Sequence, residues 1–230
     1  MRYMVREYFA EGNRGHYEDC SLVENIWNDT LLCMIADGIG GLNHAAEAAR
    51  LVVKEIHKYL SREIRYEIGN IKSLLSASME TANERILQER RRLFCKMGAA
   101  VTVLLFHKEF AYISWLGDVR VYLVQNENIS LLTTDHTIQP TGNDTTIEQQ
   151  RYNHVLTRCV KGSDIIDEIP FIQTKITPGD RYILCSDGFY NNTRPEHVKT
   201  HTVEQVIMGI KDQEDDYSAI EVHFLESSQS

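Results

Sequence analysis

Two aspartates stand directly before a glycine and close to the end of an apolar run. Asp37 follows one such run and opens the glycine-rich turn Gly38–Gly41, while Asp187 follows the run Tyr182–Cys185 and precedes Gly188. A glycine-rich turn lets the backbone and its carbonyl oxygens approach a ligand closely, so a metal site is one natural use of this geometry. Asp-Gly is also a routine turn dipeptide, and that structural explanation stays open for each turn taken alone.

Three further acidic settings lie beside predicted strands. They are Glu18-Asp19, Asp118 after Trp115-Leu116-Gly117, and Glu214-Asp215-Asp216. Taken singly, each of them fits a solvated turn. Mg²⁺ and Mn²⁺ prefer carboxylate, carbonyl and water ligands, and a pair of these ions needs several acidic groups that converge from different strands. The set as a whole therefore favours a hydrolytic site with two metal ions.

Short runs rich in β-branched and aromatic residues predict the strands that would carry these acids. The predicted strands are Arg2–Phe9, Leu31–Ala36, Ala99–His107, Phe110–Leu116, Arg120–Val124, Ile129–Thr133, His154–Thr157, Phe171–Thr174, Tyr182–Cys185 and Ala219–Phe224. Apolar residues three to four apart predict two amphipathic helices, Asn43–Glu67 and Asn70–Arg92, joined at Gly69. A last helix is predicted at Val203–Lys211.

The order of these elements, in which two helices follow one another between strands, does not alternate strictly. It predicts an α+β fold, an antiparallel sheet assembly with helices packed outside, rather than a doubly wound parallel sheet. The polar segment Asp135–Asn153 predicts a surface loop with one short helix at Thr146–Arg151, and Glu226–Ser230 predicts a frayed tail. With 230 residues, 43% of them hydrophobic, the chain is expected to form one globular domain over residues 1–230.

Composition and charge argue against several other classes of protein. The net charge of −9 opposes binding to a nucleic-acid backbone, and the basic run Arg90–Arg92 is expected at the solvated end of a helix. No apolar run reaches the roughly 18–20 residues that span a bilayer, and the charged N-terminus is not a secretory signal. We therefore expect a cytoplasmic protein that binds no membrane. Five cysteines without a CxxC pair predict small reduced thiols rather than disulfides or a thiolate zinc site.

Eight motifs follow one another along the chain in a fixed order. They are Arg14-Gly15-His16-Tyr17-Glu18-Asp19, Asp37-Gly38-Ile39-Gly40-Gly41, Met97-Gly98-Ala99-Ala100, Gly117-Asp118-Val119-Arg120, Leu132-Thr133-Thr134-Asp135-His136-Thr137, Val155-Leu156-Thr157-Arg158, Ser186-Asp187-Gly188 and Asp215-Asp216-Tyr217-Ser218. In types and order these motifs resemble those of the protein phosphatase 2C (metal-dependent, PPM) family, and of its bacterial catalytic domains in particular. Eight motifs in the right order are far more specific than any one of them.

The resemblance implies a four-layer α-β-β-α sandwich, in which two antiparallel sheets are flanked by helices, and a site for two Mn²⁺ or Mg²⁺ ions. The implied ligands are Asp37 as the bridging carboxylate, the Gly38 carbonyl with Glu18 and Asp19 for one ion, and Asp187 with Asp215 for the other. A third, weaker ion would use Asp118 together with Asp187.

The resemblance also implies an activity and partners. The family hydrolyses phosphoserine and phosphothreonine on proteins by direct attack of a metal-bridging water or hydroxide, without a covalent enzyme intermediate. Asp37 and Arg14 would be the catalytic residues, with Arg14 binding the substrate phosphate through its planar fork of donors. The implied partners are phosphorylated proteins and a cognate serine/threonine kinase, and we expect a monomer.

Several residues depart from the usual family pattern. Ile39 stands where many eukaryotic relatives carry a histidine proposed as general acid, so the proton donor to the leaving group is unassigned. Tyr17 and Asp216 each replace an asparagine, while Ala99, Ala100 and Val119 replace hydroxyl residues. None of these changes removes an implied ligand side chain. His16 and His136 lie within motifs but lack metal-ligand spacing, which favours solvent-facing or hydrogen-bonded roles.

Two other functions remain compatible with the sequence. The substitutions would suit a catalytically weak or inactive module that keeps the fold for regulation or binding. An unrelated two-metal phosphoesterase acting on small molecules would use the same activation of water. The loop Asp135–Asn153 corresponds to the family's flap beside the active site, where substrate preference is expected to lie.

Overall fold

The computed structural model describes residues 1–13, 15–126, 128–138, 155–165, 167–193, 197–210 and 215–226. The strands are β1 (Tyr3–Ala10), β2 (Asp19–Trp27), β3 (Thr30–Gly38), β4 (Ala99–His107), β5 (Phe110–Leu116), β6 (Arg120–Gln125), β7 (Asn128–Leu131), β8 (Phe171–Lys175), β9 (Arg181–Cys185) and β10 (Tyr217–Phe224). The helices are α1 (Ala45–Glu67), α2 (Ile71–Leu93), α3 (Asp187–Asn192), α4 (His197–Thr200) and α5 (Val203–Ile207), with a 3₁₀ turn at Ile68–Asn70 between the first two.

The strands form two five-stranded sheets in which every pairing is antiparallel. The first sheet has the order β1-β10-β9-β6-β7 and the second has the order β2-β3-β4-β5-β8. Long helices cover the outer face of the second sheet and short helices cover the outer face of the first. This is the four-layer α-β-β-α sandwich that the sequence predicted.

The sheets are buried on both faces because apolar residues occupy both sets of alternating positions along the central strands. On β3, Leu31, Cys33 and Ile35 face the other sheet, whereas the residues between them face the long helices. On β9, Leu184 packs between the sheets, and Ile183 packs against the short helices. The central strands are thus fixed in register from both sides, since a slip of one residue would exchange the two faces.

The long helices bury one stripe each. In α1 the stripe includes Val52, Ile56 and Leu60, all fully buried against the second sheet and α2. Helix α2 begins at the cap Asn70, whose side chain accepts a hydrogen bond from the backbone N–H of Ser73 at 3.3 Å. Both helices therefore agree with the prediction to within two or three residues at each end.

Several predicted element boundaries need correction. Strand β2 was not predicted, because its residues are mostly half-buried and its polar positions interrupt a regular alternation. In place of the predicted strand at His154–Thr157, the described part has one isolated bridge between Thr137 and Leu156. Helix α5 ends at Ile207, four residues before the predicted end. The predicted short helix Thr146–Arg151 lies outside the described residues, as do most of the flap and the tail after Glu226.

Two expectations about the chain as a whole can be compared with the described residues. Among them, no helix combines the length and the apolar composition that crossing a bilayer requires. All five cysteines are free thiols; Cys33, Cys159 and Cys185 are buried and the other two are partly exposed. The described cysteines therefore form no disulfide with one another.

Shortening a side chain between the sheets should test their packing. Leu184 is 0% exposed, so Leu184→Ala should lower the free energy of unfolding by about 3 kcal/mol through lost burial and a residual cavity. Leu131→Ala, on β7 at a side chain that is 45% exposed, is the matched control and should cost well under 1 kcal/mol. Denaturant unfolding monitored by circular dichroism measures both. Equal losses in the two variants would contradict the assignment of Leu184 to the inter-sheet core.

Candidate metal centre

Two of the predicted acids face each other across neighbouring strands of the second sheet. Asp37 is the penultimate residue of β3, and Asp19, the first residue of β2, is its direct partner in the antiparallel register. Directly opposed residues of an antiparallel pair project to the same face of the sheet at close range. The turn after Asp37 is held in place by two backbone bonds, from Gly38 N–H to the Glu18 carbonyl at 3.2 Å and from Ile39 N–H to the Gly98 carbonyl at 3.0 Å.

Two more acids come from the same end of the first sheet. Asp187 is the first residue of α3, just after β9 ends, and Asp215 lies two residues before β10 begins. The two strands pair at Cys185 and Ala219, and Ser186 N–H donates to the Ser218 carbonyl at 3.0 Å. The end of one strand and the start of its neighbour therefore bring both acids to one edge of the sheet.

Hydrogen bonds between the sheets hold these two edges together. The Ser186 hydroxyl donates to Asp19 Oδ2 at 2.8 Å and accepts from Ser218 N–H at 2.9 Å. Tyr17 and Ser218 share a further hydroxyl–hydroxyl bond of 2.5 Å. Ser186 is thus a link that orients the Asp19 carboxylate, and the departure Tyr17 is a second tie between the sheets.

Asp216 has a positioning role that the sequence analysis did not identify. Its carboxylate accepts from Gly12 N–H at 2.8 Å through Oδ1 and from Glu18 N–H at 2.6 Å through Oδ2. The Asp216 side chain is 5% exposed; its bond from Gly12 is buried and its bond from Glu18 is partly buried. The bonds fasten both ends of the segment that connects β1 to β2 to the start of β10. That segment contains Arg14, which lies outside the described residues.

Asp118 reaches the same region from the end of β5. The Tyr190 hydroxyl donates to the Asp118 backbone carbonyl at 3.1 Å. Arg120 stacks over the Tyr190 ring at 3.6 Å and binds both carboxylate oxygens of Asp135, with contacts of 2.6 to 3.2 Å. Arg120 therefore forms its ion pair with Asp135, and the Asp118 side chain lines the cavity.

One cavity of about 740 Å³ at this end of the sandwich collects the acids. The carboxylates of the described residues that line it are Glu18, Asp19, Asp37, Asp118, Asp187, Asp215 and Asp216. Each of the predicted ligand positions, Gly38 included, lies in this lining. His16, which lies within the first motif, also lines it, as do Cys159 and Lys161, which sequence reasoning missed. No sequence signal points to Cys159 or Lys161, since their neighbours in the cavity come from distant parts of the chain.

Burial and mutual repulsion shift the protonation of these acids. Burial, followed by the charges of Asp19, Asp187, Asp118 and Asp215, raises the pKa of Asp37 well above its usual range. Burial raises the pKa of Asp19 to about 7 against the lowering effect of its serine hydrogen bonds. Burial and the charge of Asp187 raise the pKa of Asp118 to about 7. Carboxylates that resist ionisation in this way would be stabilised in their charged forms by bound cations.

The donor chemistry fits hard divalent cations. All predicted ligands are oxygens, which Mg²⁺ and Mn²⁺ prefer, and the carbonyl of Gly38 adds a neutral donor. Within the described ranges, no three His, Cys, Asp or Glu side chains already converge tightly enough to hold one ion. Unneutralised carboxylates repel one another, and Mg²⁺ in particular completes its shell with water, so closer convergence is expected only once a cation is bound.

The two motif histidines differ in their surroundings. His136 Nδ1 accepts a hydrogen bond from Gly117 N–H at 3.1 Å, and its ring stacks on Trp115. Burial, with the nearby charge of Arg158, lowers the pKa of His136 to about 4, so the ring is neutral near pH 7. His136 therefore has the hydrogen-bonded structural role that was expected. His16 is exposed at the rim of the cavity.

Comparison with known proteins gives a consistent set of similarities. The sequence model of the family described as Protein phosphatase 2C matches residues 17–219. The chain is 28% identical over 199 residues to the serine/threonine phosphatase stp of Listeria welshimeri, covering 77% of this chain and 74% of that protein. It is 25% identical over 203 residues to the serine/threonine protein phosphatase PstP of Mycobacterium tuberculosis, and the match covers 85% of this chain but only 38% of PstP.

Among solved structures, the fold is similar to that of a PstP catalytic domain in complex with two manganese ions. The TM-score is 0.76 at 20% identity, and the match covers 97% of this chain and 99% of that domain. At this identity the likeness concerns the fold.

The repulsion among the cavity acids should make the metal-free protein sensitive to pH. Because the folded-state pKa values of Asp19 and Asp118 lie near 7 and that of an unfolded aspartate lies near 4, the folded state binds more protons between these values. Stability should therefore fall as the pH rises from about 4 to about 7. In chelator at pH 8, Asp37→Asn should raise the free energy of unfolding by about 1–2 kcal/mol over wild type. A variant less stable than wild type under these conditions would contradict the electrostatic account.

Removing the Asp216 carboxylate should loosen the segment between β1 and β2. Asp216→Ala leaves one buried and one partly buried N–H donor without an acceptor and should lower the free energy of unfolding by about 3 kcal/mol. Asp216→Asn keeps one acceptor oxygen and should cost about half as much. Urea unfolding of the three proteins in chelator measures this order. Equal stabilities of wild type and the alanine variant would show that the two bonds do not hold the segment.

Proposed function

Because the chain belongs to the protein phosphatase 2C family, we propose that it is a metal-dependent protein phosphatase that hydrolyses phosphoserine and phosphothreonine. The observation that carries the proposal is the cavity at one end of the sandwich, which is lined by seven carboxylates and one lysine among the described residues. Such a site favours bound divalent cations, and cations at that position would attract the phosphate dianion of a substrate despite the acidic net charge of −9.

The proposed ligands follow from the motifs and the cavity lining. Asp37 would hold both ions, the Gly38 carbonyl, Glu18 and Asp19 would hold one of them, and Asp187 and Asp215 would hold the other. Asp118 and Asp187 would hold a third ion more weakly. When bound, two Mn²⁺ or Mg²⁺ ions supply Lewis acidity and lower the pKa of a water molecule toward neutrality. The manganese ions in the PstP catalytic domain support this choice of metal.

The chain's own residues have separate parts in this proposal. Ser186 donates to Asp19 Oδ2, which orients that carboxylate, and the raised pKa values show why the acids need cations to stay ionised together at neutral pH. Arg14 is proposed to bind the substrate phosphate. Ile39 lines the cavity but has no proton to give, so the leaving group takes its proton from another donor.

The alternative functions have less support. An inactive binding module would have no need of every implied carboxylate, and all six of them line one cavity. The family membership favours phosphoproteins over small phosphate esters as substrates. We further propose that residues 1–230 act as one catalytic domain, that the protein is a cytoplasmic monomer in signalling, and that a serine/threonine kinase supplies its substrates.

Turnover should depend on the metal and on the acids at the cavity. With Mn²⁺ the protein should hydrolyse a phosphothreonine peptide and p-nitrophenyl phosphate, and chelator should abolish both activities. Asp37→Asn and Asp187→Asn should each lower kcat/KM by at least about a hundredfold, because each removes charge that holds the ions. Phosphate release measures the rates.

Asp29→Asn is the matched control for these variants. This variant makes the same chemical change in the turn between β2 and β3, at the other end of the second sheet. It should release phosphate at the wild-type rate. Full activity of wild type in chelator, or of both cavity variants in Mn²⁺, would refute the proposed function.

A further inference from the structure

The acidic cavity has one lysine among its described lining residues. Lys161 lies there among the seven carboxylates, and His16 is the other described basic residue of the lining. No described acidic side chain forms an ion pair with Lys161, although other lysines of the described chain, such as Lys72 with Glu168 and Lys175 with Glu109, do form them. The positive charge is therefore not already committed to a described neighbour.

The backbone at Lys161 is fixed to the second sheet. Val160 and Ala99 exchange both of their backbone hydrogen bonds, each at 3.0 Å, at the start of β4. Beside this bridge, the Gly98 carbonyl accepts from Ile39 N–H in the turn that follows Asp37. Two hydrogen-bonded connections therefore link the segment that contains Lys161 to the turn that follows Asp37.

Helix α2 holds the same segment from the other side. The side-chain oxygen of Asn83 accepts from Lys161 N–H at 3.2 Å and from Gly162 N–H at 2.7 Å, and its amide nitrogen donates to the Ser163 carbonyl at 2.7 Å. Arg90 donates to the Lys161 carbonyl. Arg90 thus binds this segment in addition to ending the helix, which corrects the expectation that the whole basic run is solvated.

The turn after Lys161 permits no easy rearrangement. Gly162 has a φ of +67°, and a side chain there would meet the α2 backbone at Leu87, 2.7 Å away. Since the backbone is anchored on both sides, the point from which the Lys161 side chain extends is fixed relative to the turn after Asp37. Its charge already acts inside the cavity: burial raises the pKa of the Cys159 thiol, and Lys161 opposes that rise.

We propose that Lys161 is a substrate-binding residue that contacts the phosphoryl group beside the proposed metal centre. This inference rests on the proposed function, because it needs an anionic substrate in the same cavity. A flexible ammonium group suits a phosphate oxygen that the ions and Arg14 leave exposed, since it supplies a charged donor without demanding planar geometry. Carboxylates that coordinate cations would no longer attract the Lys161 ammonium group, which could then bind the substrate.

A purely structural role is the competing explanation for Lys161. If its charge only offset repulsion among the carboxylates, removing it should change the affinity for divalent cations and leave the affinity for phosphate alone. If it binds the phosphoryl group, removing it should weaken phosphate binding without weakening the binding of cations.

The test is a calorimetric titration of the whole protein with inorganic phosphate in the presence of Mg²⁺. Lys161→Met removes the charge and keeps a linear side chain, and should weaken phosphate binding about tenfold. Lys161→Arg keeps the charge and should stay within about threefold of wild type. Lys58→Met, at an exposed position on α1, makes the same change in net charge and should bind phosphate as wild type does. A separate titration with Mg²⁺ should show no loss of affinity in Lys161→Met.

Kinetics then identify which substrate anion is bound. KM should rise about tenfold in Lys161→Met for p-nitrophenyl phosphate and for a phosphothreonine peptide with neutral flanking residues alike. A rise confined to peptides with flanking glutamates would place Lys161 on a substrate carboxylate and overturn the phosphoryl assignment. Unchanged phosphate affinity in Lys161→Met, or a wild type that binds no phosphate, would also overturn it.

The two proposals fail in different ways. A wild-type protein that binds phosphate through Lys161 but releases none from phosphopeptides would refute the phosphatase activity and leave the Lys161 assignment standing. If the wild type is active and the Lys161→Met variant binds phosphate equally well, the phosphatase activity stands and the Lys161 assignment is refuted.

Discussion

Repulsion among carboxylates at one end of the sandwich is the constraint on which the rest of the structure depends. The strands bring Asp19, Asp37, Asp118, Asp187 and Asp215 to a common cavity, and burial there disfavours their charged forms. A fold that keeps these groups close without metal must be held together elsewhere. A bound divalent cation would neutralise the carboxylates that coordinate it. The acids could then ionise together, and the repulsion between them would be removed.

The stabilising contacts lie in the three apolar layers and in a few polar ties between the sheets. The layer between the sheets contains fully buried residues of both, such as Ile35 and Leu184. Near the cavity, hydrogen bonds rather than apolar contacts hold the sheets together. Ser186 donates to Asp19, and Asp216 accepts from both ends of the segment that leads into β2. The acids are thus positioned by rigid strands and by neighbours that satisfy their oxygens, which limits how far they can separate when no cation is present.

The predictable part of the site and the unpredictable part differ in a physical way. Asp37 and Asp187 could be recognised because a strand, a carboxylate and a glycine are adjacent in sequence, so local pattern and chemistry coincide. The tie made by Asp216 and the placement of Lys161 could not, because their partners are distant: Glu18 lies 198 residues from Asp216, and Asn83 lies 78 residues from Lys161. Strand β2 escaped prediction for a related reason, since its half-buried residues form a strand by pairing with β3 rather than through their own alternation.

We propose that the acids at the end of the sandwich hold divalent cations, with Asp37 between them. The most direct measurement is an anomalous-difference map from crystals of the protein grown with Mn²⁺. The account predicts strong peaks on both sides of the Asp37 carboxylate, one beside the Gly38 carbonyl and one beside Asp187. A map without a peak at Asp37, or with manganese only at surface acids outside the cavity, would contradict it.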